Sequence, residues 1–395
     1  MTLPRSALVL GLARQGTAAA AALERRGVQI VRADRELGND DDLMLLEGVD
    51  VLVKSGGVPN DAPLVAAARG RAIPIWSDIE VGARILPNPI LGVTGTNGKT
   101  TTTALLAQML GAPAAGNIGL AICALDGEVE PDRWIVCELS SFQLEYVHTF
   151  RPRIAVLLNL EPDHLDRHGS IDRYRDAKLR AFANQQEDDT AIVPSGFAEI
   201  PGRARRIEFA ANDELPAESR IPGQHNRENA AAAVAAARAA GLDEAGIVRA
   251  LRAFAGVPHR LELVAEKHGV KFVNDSKATN VAAALRALAA YDAPVLLIAG
   301  GRGKGESFEP LAEAARGRVR RAYLIGETAD KLADAFRDVP HELSGDLQAA
   351  VRAAAGDARP GEVVLLSPAC ASYDQFRDFE LRGDEFRRLV REVAG

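Results

Sequence analysis

At 395 residues the chain is too long for one ordinary hydrophobic core, and typical domain sizes favour two or three domains. Its formal net charge of -7 argues against general nucleic-acid binding, which normally requires a basic face. Three widely spaced cysteines, Cys123, Cys137 and Cys370, exclude a disulfide framework, and no apolar run reaches about 18 residues, so we expect a cytoplasmic protein without a membrane span.

Residues 1 to 88 alternate short apolar segments with helical ones, which is typical of a parallel, doubly wound sheet. A strand is predicted at residues 7–10, a glycine turn at residues 11–16 and a helix after it. The turn and Asp34, which follows the second predicted strand, together look like a dinucleotide fingerprint. Ala13 replaces its middle glycine, however, so a nicotinamide cofactor is only an alternative.

A phosphate-binding loop is predicted where an apolar strand at residues 90–93 gives way to Thr94-Gly95-Thr96-Asn97-Gly98-Lys99-Thr100 and then to a helical pattern. Backbone N–H groups of such a turn can surround phosphate oxygens, Lys99 can reach the β- and γ-phosphates, and Thr100 can offer its hydroxyl to Mg²⁺. The first glycine of the strict spacing would fall on Val93, so a chance Gly-Lys-Thr turn is the alternative.

This variant loop resembles that of the Mur ligases, the ATP-dependent amide-forming enzymes of peptidoglycan precursor synthesis, and of their folylpolyglutamate synthetase relatives. The resemblance implies an α/β protein of three domains. A Rossmann-like UDP-sugar domain would span residues 1–88, a central P-loop mononucleotide-binding domain residues 89–256, and a Rossmann-like amino-acid domain residues 257–395. It also implies that ATP is bound by Gly95, Thr96, Asn97, Gly98, Lys99, Thr100 and Thr101.

In the first domain the resemblance places the uridine diphosphate of the sugar substrate on a set of polar residues near strand ends. These are Arg14, Gln15, Asp34, Arg35 and the turn that starts at Ser55. The sequence departs from the family pattern at two positions. Gly56 stands where the family turn usually has proline, and Glu36 stands where a basic residue is often seen.

Two strand ends of the central domain predict metal ligands. A buried-strand pattern at residues 134–137 ends in Glu138, and a nucleotide-bound Mg²⁺ needs a carboxylate beside the phosphate loop, although a helix N-terminal acid is the alternative. His164 follows the predicted strand 154–159 with acidic residues on both sides. It can ligate a hard cation and contact the substrate, although a lone histidine in a loop usually only makes hydrogen bonds.

The resemblance assigns roles that the residue types alone do not reveal. Lys178 matches a lysine that is carbamylated in these enzymes, which makes it a ligand for a second Mg²⁺ and requires a partly desolvated, neutral amine. Asn117 is assigned to the substrate. Asn226 and Asn229 match nucleotide-contacting residues of a Gly-x-His-Asn-x-x-Asn motif, although capping of a helix predicted at residues 230–240 is the alternative.

Three predicted strands of the last domain end in polar or glycine-rich segments, at residues 274–280, 300–304 and 367–376, where α/β folds keep their ligands. By resemblance, His259, Arg260, Asp275 and Lys277 lie at the nucleotide, and Thr279, Lys304, Ser372 and Phe379 hold the amino-acid carboxylates. These segments are similar to those of the members that add D-glutamate. The Asp-Asn-Pro-Arg motif of the diaminopimelate-adding members is absent.

The resemblance therefore implies a monomeric ligase that uses ATP and two Mg²⁺ ions to join D-glutamate to UDP-N-acetylmuramoyl-L-alanine through an acyl phosphate. The predicted catalytic residues are Lys99, Glu138, His164 and Lys178, and the predicted metal ligands are Thr100, Glu138, His164 and Lys178. Three alternatives are a ligase with a different amino acid, a nucleotide-binding switch without catalysis, and a nicotinamide oxidoreductase.

Overall fold

The computed structural model describes residues 2–218, 221, 223–303 and 305–394. The chain divides into two compact units, a first unit that extends to Phe254 and a second unit that starts at Ala255. Within the described residues the first unit contains two sheets and the second unit contains one. Every described helix is too short or too polar to span a lipid bilayer.

The N-terminal part of the first unit alternates strands and helices, as the sequence predicts. Its strands are β1 Ser6–Leu10, β2 Gln29–Ala33, β3 Val51–Lys54 and β4 Ile75–Trp76, and its helices are α1 Arg14–Arg25, α2 Pro63–Gly70 and α3 Asp78–Ile85. The strands form one parallel sheet in the order β2-β1-β3-β4.

The remainder of the first unit is built around a second parallel sheet. Its strands are β5 Ile90–Thr94, β6 Ala114–Gly116, β7 Ile135–Glu138, β8 Ile154–Leu157, β9 Thr190–Pro194 and β10 Arg205–Phe209. Its helices are α4 Lys99–Leu110, α5 Ser141–Leu144, α6 Leu165–His168, α7 Ile171–Leu179, α8 Gln224–Ala239 and α9 Glu244–Ala253. The sheet order β10-β9-β8-β5-β7-β6 places β5 between β7 and β8, so the segments that follow these three strands emerge side by side.

The second unit contains a six-stranded sheet with one antiparallel edge. Its strands are β11 Glu262–Lys267, β12 Val270–Asn274, β13 Val295–Gly300, β14 Val319–Ile325, β15 His341–Gly345 and β16 Val363–Leu366. Its helices are α10 Val281–Ala289, α11 Glu309–Ala315, α12 Ala329–Ala335, α13 Leu347–Asp357 and α14 Phe379–Ala394. In the order β11-β12-β16-β13-β14-β15 only β11 runs antiparallel to its neighbour.

The central strands are short apolar runs because both faces of their sheets are covered. Every residue of β3, β5, β7, β8, β13 and β16 is buried. Continuous apolar strands of this kind are expected in parallel sheets that carry helices on both faces. The α/β fold class predicted from the sequence is confirmed.

One hydrophobic cluster includes residues from both sheets of the first unit, among them Val9 of β1 and Ile135 of β7. The contact is close at Gly82 of α3, where an added Cβ would lie 2.9 Å from Cγ2 of Ile122. This packing fixes the strand ends of the two sheets relative to each other. The domain boundaries near residues 88 and 256 remain predictions.

Two helices begin earlier than the sequence predicts. Helix α1 begins at Arg14, so Arg14 and Gln15 lie in its first turn, whereas we expected them in a glycine turn. Helix α8 begins at Gln224 and not at residue 230. Asn226 and Asn229 are therefore helical residues three positions apart, which places them on one helix face.

Candidate active site

The predicted phosphate-binding loop joins β5 to α4, and two glycines with positive φ shape it. Gly95 has a φ of +151° and Gly98 a φ of +84°. A Cβ at Gly98 would lie only 2.1 Å from Oδ1 of Asn229, and a Cβ at Gly95 would lie 3.0 Å from Cβ of Leu158. The Asn229 side chain thus occupies the place that a Cβ at Gly98 would take, and the positive φ of Gly98 also favours glycine there. The first N–H groups of α4 follow immediately, as a phosphate site requires.

The segment after β8 supports the loop through hydrogen bonds. The backbone N–H of Thr96 donates to the carbonyl of Asn159 (3.1 Å), and that of Asn97 donates to the Asn159 side chain (2.8 Å). The Asn97 amide donates to Glu161 (3.0 Å), and the Tyr174 hydroxyl donates to Oγ1 of Thr96 (3.0 Å). Asn159, Glu161 and Tyr174 were not predicted as site residues. The only sequence signal was the position of Asn159 at the end of a predicted strand.

Two lysine side chains share one carbonyl group of this loop. Lys99 Nζ donates to the carbonyls of Gly95 (2.7 Å) and Thr96 (2.8 Å), and Lys178 Nζ donates to that of Gly95 (2.7 Å). Lys178 is 1% exposed. Its burial, together with the positive charge of Lys99, lowers the pKa of Lys178 to about 6. Burial therefore favours the neutral form of the Lys178 amine.

Glu138, the last residue of β7, has one buried carboxylate oxygen without a partner. Its Oε1 accepts a hydrogen bond from the Asn117 amide (2.7 Å), whereas Oε2 has no partner among the described residues. Leaving a buried charged oxygen unsatisfied is unfavourable unless a ligand occupies the site. Carboxylate oxygens are ligands that Mg²⁺ prefers, so Glu138 fits the predicted metal role.

The first turn of α1 contacts the segment that carries Asn117. Arg14 Nη2 donates to the carbonyl of Asn117 and Gln15 Nε2 to that of Gly116, each at 3.3 Å. Two predicted substrate residues at the start of α1 thus lie beside a third, Asn117, which directly follows β6. Asn117 in turn connects them to Glu138.

Two other predicted substrate residues, Asp34 and Ser55, form hydrogen bonds with the backbone of turns that follow strands of the first sheet. Asp34 accepts hydrogen bonds from the N–H groups of Leu12 (2.5 Å) and Glu36 (2.9 Å), and these bonds lower the pKa of Asp34. The Ser55 hydroxyl donates to the carbonyl of Gly11 (2.6 Å), while Arg35 is exposed. Their proposed contacts with uridine remain predictions.

His164 has a φ of +49°, which is unusual for a residue with a side chain. Its ring lies 4.9 Å from that of Phe142 and its Nε2 lies 3.6 Å from Asp163 Oδ2. In the part of the chain that the structure describes, no three His, Cys, Asp or Glu side chains are grouped closely enough to hold a metal ion. A metal near Glu138 and His164 would need further oxygen ligands, such as a hydroxyl or a carbamate.

Helix α6, which follows His164, is attached to two neighbouring segments. Arg167 Nη1 donates to the carbonyl of Gly56 (3.0 Å), and its guanidinium lies 3.8 Å from the Phe142 ring centroid. His168 Nε2 lies 3.0 Å from the Ser141 hydroxyl. Arg167 and His168 therefore link the predicted substrate turn and α5 to the His164 segment. Neither was predicted, because their only signal was closeness to His164 in sequence.

In the second unit, predicted nucleotide residues lie at the carboxyl end of β12. Asp275 accepts hydrogen bonds from the Ser367 hydroxyl (2.9 Å) and the Leu261 N–H (3.2 Å). Burial raises the pKa of Asp275 to about 7. His259 is also buried, with Nδ1 3.1 Å from the Asn274 amide. The buried carboxyl group and imidazole are thus held in place by neighbouring polar groups.

The predicted amino-acid residues of the second unit follow β12 and β16, which are adjacent strands. The Phe379 ring centroid lies 6.0 Å from Nζ of Lys277, a predicted nucleotide residue, and Ser372 is 2% exposed. Thr279 is half-buried, and so is Arg260, which was also predicted at the nucleotide. Lys304 lies outside the described residues.

Comparison with known proteins identifies the family. Residues 93–201 match the Mur ligase middle domain, and residues 259–370 match the Mur ligase glutamate ligase domain. A UDP-N-acetylmuramoylalanine--D-glutamate ligase from Anaeromyxobacter dehalogenans is 42% identical, over 98% of this chain and 97% of that protein. The chain belongs to the Mur ligase family. The resemblance seen in the sequence is confirmed, and this Mur ligase is an ATP-dependent, amide-forming enzyme.

Two further proteins agree with the family assignment. A relative of the same name from Acidobacterium capsulatum is 40% identical to this Mur ligase, over 98% of this chain and 96% of that protein. The solved structure of a UDP-N-acetylmuramate-alanine ligase from Thermotoga maritima has a TM-score of 0.60 and 18% identity, and the match covers 99% of this chain and 100% of that chain. At that identity the likeness concerns the fold alone.

We expect Gly98→Ala to lower the activity of this Mur ligase about a hundredfold, because small displacements of catalytic groups can have effects of this size. The added Cβ would lie 2.1 Å from Oδ1 of Asn229, so the Asn229 side chain, a predicted nucleotide contact, must move. ADP release and the KM for ATP measure the effect. Gly111→Ala is the matched control: Gly111 also has a positive φ of +56°, but its nearest neighbour, Arg133, lies 3.8 Å away. Equal losses in both variants would show that backbone strain is responsible.

We expect Gly56→Pro, which restores the residue usual in the family, to raise the free energy of unfolding by about 0.4–1 kcal/mol. Gly56 does not have a positive φ, its N–H donates no described hydrogen bond, and an added Cβ would meet nothing closer than 3.9 Å. Urea denaturation measures the change. Gly11→Pro is the control, because a φ of +88° at Gly11 is incompatible with proline and should destabilise the protein. A loss of stability in Gly56→Pro would contradict the prediction.

Proposed function

We propose that this Mur ligase joins D-glutamate to UDP-N-acetylmuramoyl-L-alanine in peptidoglycan precursor synthesis. The sugar-linked alanyl carboxylate attacks the γ-phosphate of ATP to give an acyl phosphate and ADP, and the amine of D-glutamate then displaces phosphate to form the amide. The observation that best supports this reaction is that Lys99 and Lys178 both donate to the Gly95 carbonyl of the phosphate-binding loop. The choice of substrates rests on the names of the relatives.

Two anionic reactants must meet in this reaction, so positive charge at the loop is the first requirement. Lys99 already lies against the loop carbonyls, from which its amine can move to donate to phosphate oxygens. The glycine-rich turn and the first N–H groups of α4 provide further donors. The segment after β8 keeps the loop in shape through Asn159.

Residues of the first unit would hold two Mg²⁺ ions, which neutralise phosphate and carboxylate charge when bound. The ligands that we propose are Thr100, Glu138, His164 and carbamylated Lys178. The unpartnered Oε2 of Glu138 and the burial of Thr100 support this set. Asn117 holds the other oxygen of Glu138 and so orients the carboxylate.

Carbamylation of Lys178 would convert a buried amine into an anionic ligand. The neutral amine nitrogen attacks CO₂, a C–N bond forms, and one proton leaves to solvent, so the product is a carbamate. The low pKa of Lys178 supports this step because only the neutral amine has a free electron pair. The nearby positive charge of Lys99 would stabilise the carbamate.

The second unit would select the amino acid. Thr279 and Ser372 can donate hydroxyl hydrogen bonds to the carboxylates of D-glutamate, and Phe379 and Lys304 would complete the site. His259, Arg260, Asp275 and Lys277 would contact the nucleotide. We further propose that the protein acts as a monomer on small molecules in the cytoplasm, where ATP is available, and that its domains span residues 1–88, 89–256 and 257–395.

The test is ADP release in the presence of UDP-N-acetylmuramoyl-L-alanine, with D-glutamate, L-glutamate, L-alanine and diaminopimelate compared as amino acids. We expect release to depend on D-glutamate. Dependence on another amino acid would indicate a ligase of different amino-acid specificity. Release that is independent of amino acid would instead indicate a nucleotide-hydrolysing switch.

A further inference from the structure

We propose that Arg382 is a positioning residue of the amino-acid site, and that its guanidinium sets the spacing between the loop that carries Thr279 and the loop that carries Ser372. The inference deepens the proposed function and rests on it, because those two hydroxyls are assigned to the amino acid there. The contacts that support it all lie within the second unit.

Arg382 lies on α14, three residues after Phe379, and is 1% exposed. Its Nε donates to the Ser276 hydroxyl (3.0 Å), and its Nη2 donates to the Ser276 carbonyl (2.8 Å). Its Nη1 and Nη2 both donate to the Cys370 carbonyl, each at 3.1 Å. One guanidinium therefore cross-links the loop after β12 to the loop after β16.

Both anchor points lie close in sequence to the proposed amino-acid contacts. Ser276 precedes Thr279 by three residues, and Cys370 precedes Ser372 by two. The Ser276 hydroxyl also donates to the carbonyl of Phe379 (2.8 Å), so the start of α14 joins the same hydrogen-bonded group. A shift of the guanidinium would move the contacts on both loops.

A third loop packs against the same guanidinium. A Cβ at Gly301, which follows β13, would lie 3.3 Å from Arg382 Nη1 and 2.3 Å from the Ala371 carbonyl oxygen. The N–H of Arg302 donates to that same carbonyl (2.9 Å). The ends of β12, β16 and β13, which are neighbours in the sheet, are thus arranged around one buried side chain.

The chemistry of this position requires arginine in particular. Its described acceptors are two carbonyls and one hydroxyl, and no carboxylate in the described part of the unit forms an ion pair with it. A planar fork of five N–H donors can satisfy acceptors on two separate loops, whereas a lysine ammonium offers three donors around one point. Charged side chains are rarely fully buried unless they are paired, so the hydrogen bonds to both loops must offset the cost of burying this cation.

The test is Arg382→Lys, with steady-state kinetics for each substrate. We expect the KM for D-glutamate to rise about tenfold or more, because a single ammonium cannot replace the three nitrogens that donate to the two loops, while the KM for the sugar nucleotide changes less than twofold. Arg388→Lys on the same helix is the matched control: Arg388 is half-exposed and pairs with Glu385 and Glu392, so all KM values should stay the same. Equal KM values for D-glutamate in wild type and Arg382→Lys would overturn the proposal.

Thermal unfolding will show whether Arg382→Lys folds. If it does not fold, a second variant tests the proposal. Ser276→Ala removes one acceptor and keeps the arginine, so we expect a smaller rise, of severalfold, in the same KM. An equal rise in the KM values of all substrates, or no rise in this variant, would overturn the positioning role. Wild type is assayed first with the amino-acid panel. If it prefers another amino acid, the proposed specificity fails, and the KM for that amino acid then tests Arg382.

Discussion

Lys99→Ala is expected to lower ADP release by this ligase about a thousandfold, which is the scale on which removal of a charge that stabilises phosphoryl transfer acts. Lys99 Nζ lies 2.7 Å and 2.8 Å from the carbonyls of Gly95 and Thr96, so its amine is already held at the phosphate-binding loop. Neutralisation of the triphosphate would then lose the cation of the phosphate-binding loop. The measurement is single-turnover formation of acyl phosphate, trapped with hydroxylamine.

Lys271→Ala provides the control for Lys99→Ala. Lys271 lies on β12 with its side chain exposed, so its loss should leave the rate unchanged. ATP binding, measured by calorimetry, separates a loss of affinity from a loss of chemistry. If Lys99→Ala kept more than about a tenth of the wild-type rate, Lys99 would not stabilise the transferring phosphate.

The fold class could be predicted because the strands are buried on both faces and therefore read as apolar runs. Strand β16, for example, ends at Leu366, directly before the predicted polar segment 367–376. Polar residues directly after such runs, such as Glu138 and Asp275, could also be predicted, since parallel strands place their carboxyl ends on the same edge. The antiparallel strand β11 has an alternating, half-exposed pattern and was not predicted.

The contacts behind the predicted residues could not be read from sequence, because they join segments that are distant along the chain. Lys178 looks like a solvated lysine on a polar helix, and only the fold reveals that it is buried against Gly95. Arg382 looks like the other arginines of α14, yet it alone among Arg382, Arg387, Arg388 and Arg391 is fully buried. Burial of a charged side chain depends on tertiary packing, which residue type does not specify.

Lys178→Ala is expected to lower the activity about a hundredfold or more and to respond to short carboxylic acids. Alanine removes the side chain that we propose to carry the carbamate and leaves a space beside the Gly95 carbonyl. Acetate or propionate can place a carboxylate in that space, so part of the activity should return as its concentration rises. ADP release with D-glutamate and the sugar nucleotide measures both the loss and the recovery.

The carbamate itself can be tested in the wild-type enzyme with ¹³C-labelled CO₂. Since the pKa of Lys178 is about 6, its amine is neutral above that pH and protonated below it. We therefore expect a carbamate signal at pH 8 that is absent from Lys178→Ala, and a loss of signal and activity as the pH falls through 6. CO₂-free buffer should lower wild-type activity and leave Lys178→Ala with acetate unaffected.

Lys54→Ala distinguishes this chemistry from the general effect of removing a buried lysine. Lys54 is also 1% exposed, and burial lowers its pKa to about 7, but its described contacts are the Ser55 carbonyl at 3.4 Å and the Tyr146 ring centroid at 5.1 Å, whereas Lys178 donates to the loop carbonyl of Gly95. Any activity that Lys54→Ala loses should not return with acetate. Full activity of Lys178→Ala without an additive would remove Lys178 from the proposed metal ligands, because alanine can neither bind CO₂ nor coordinate a cation.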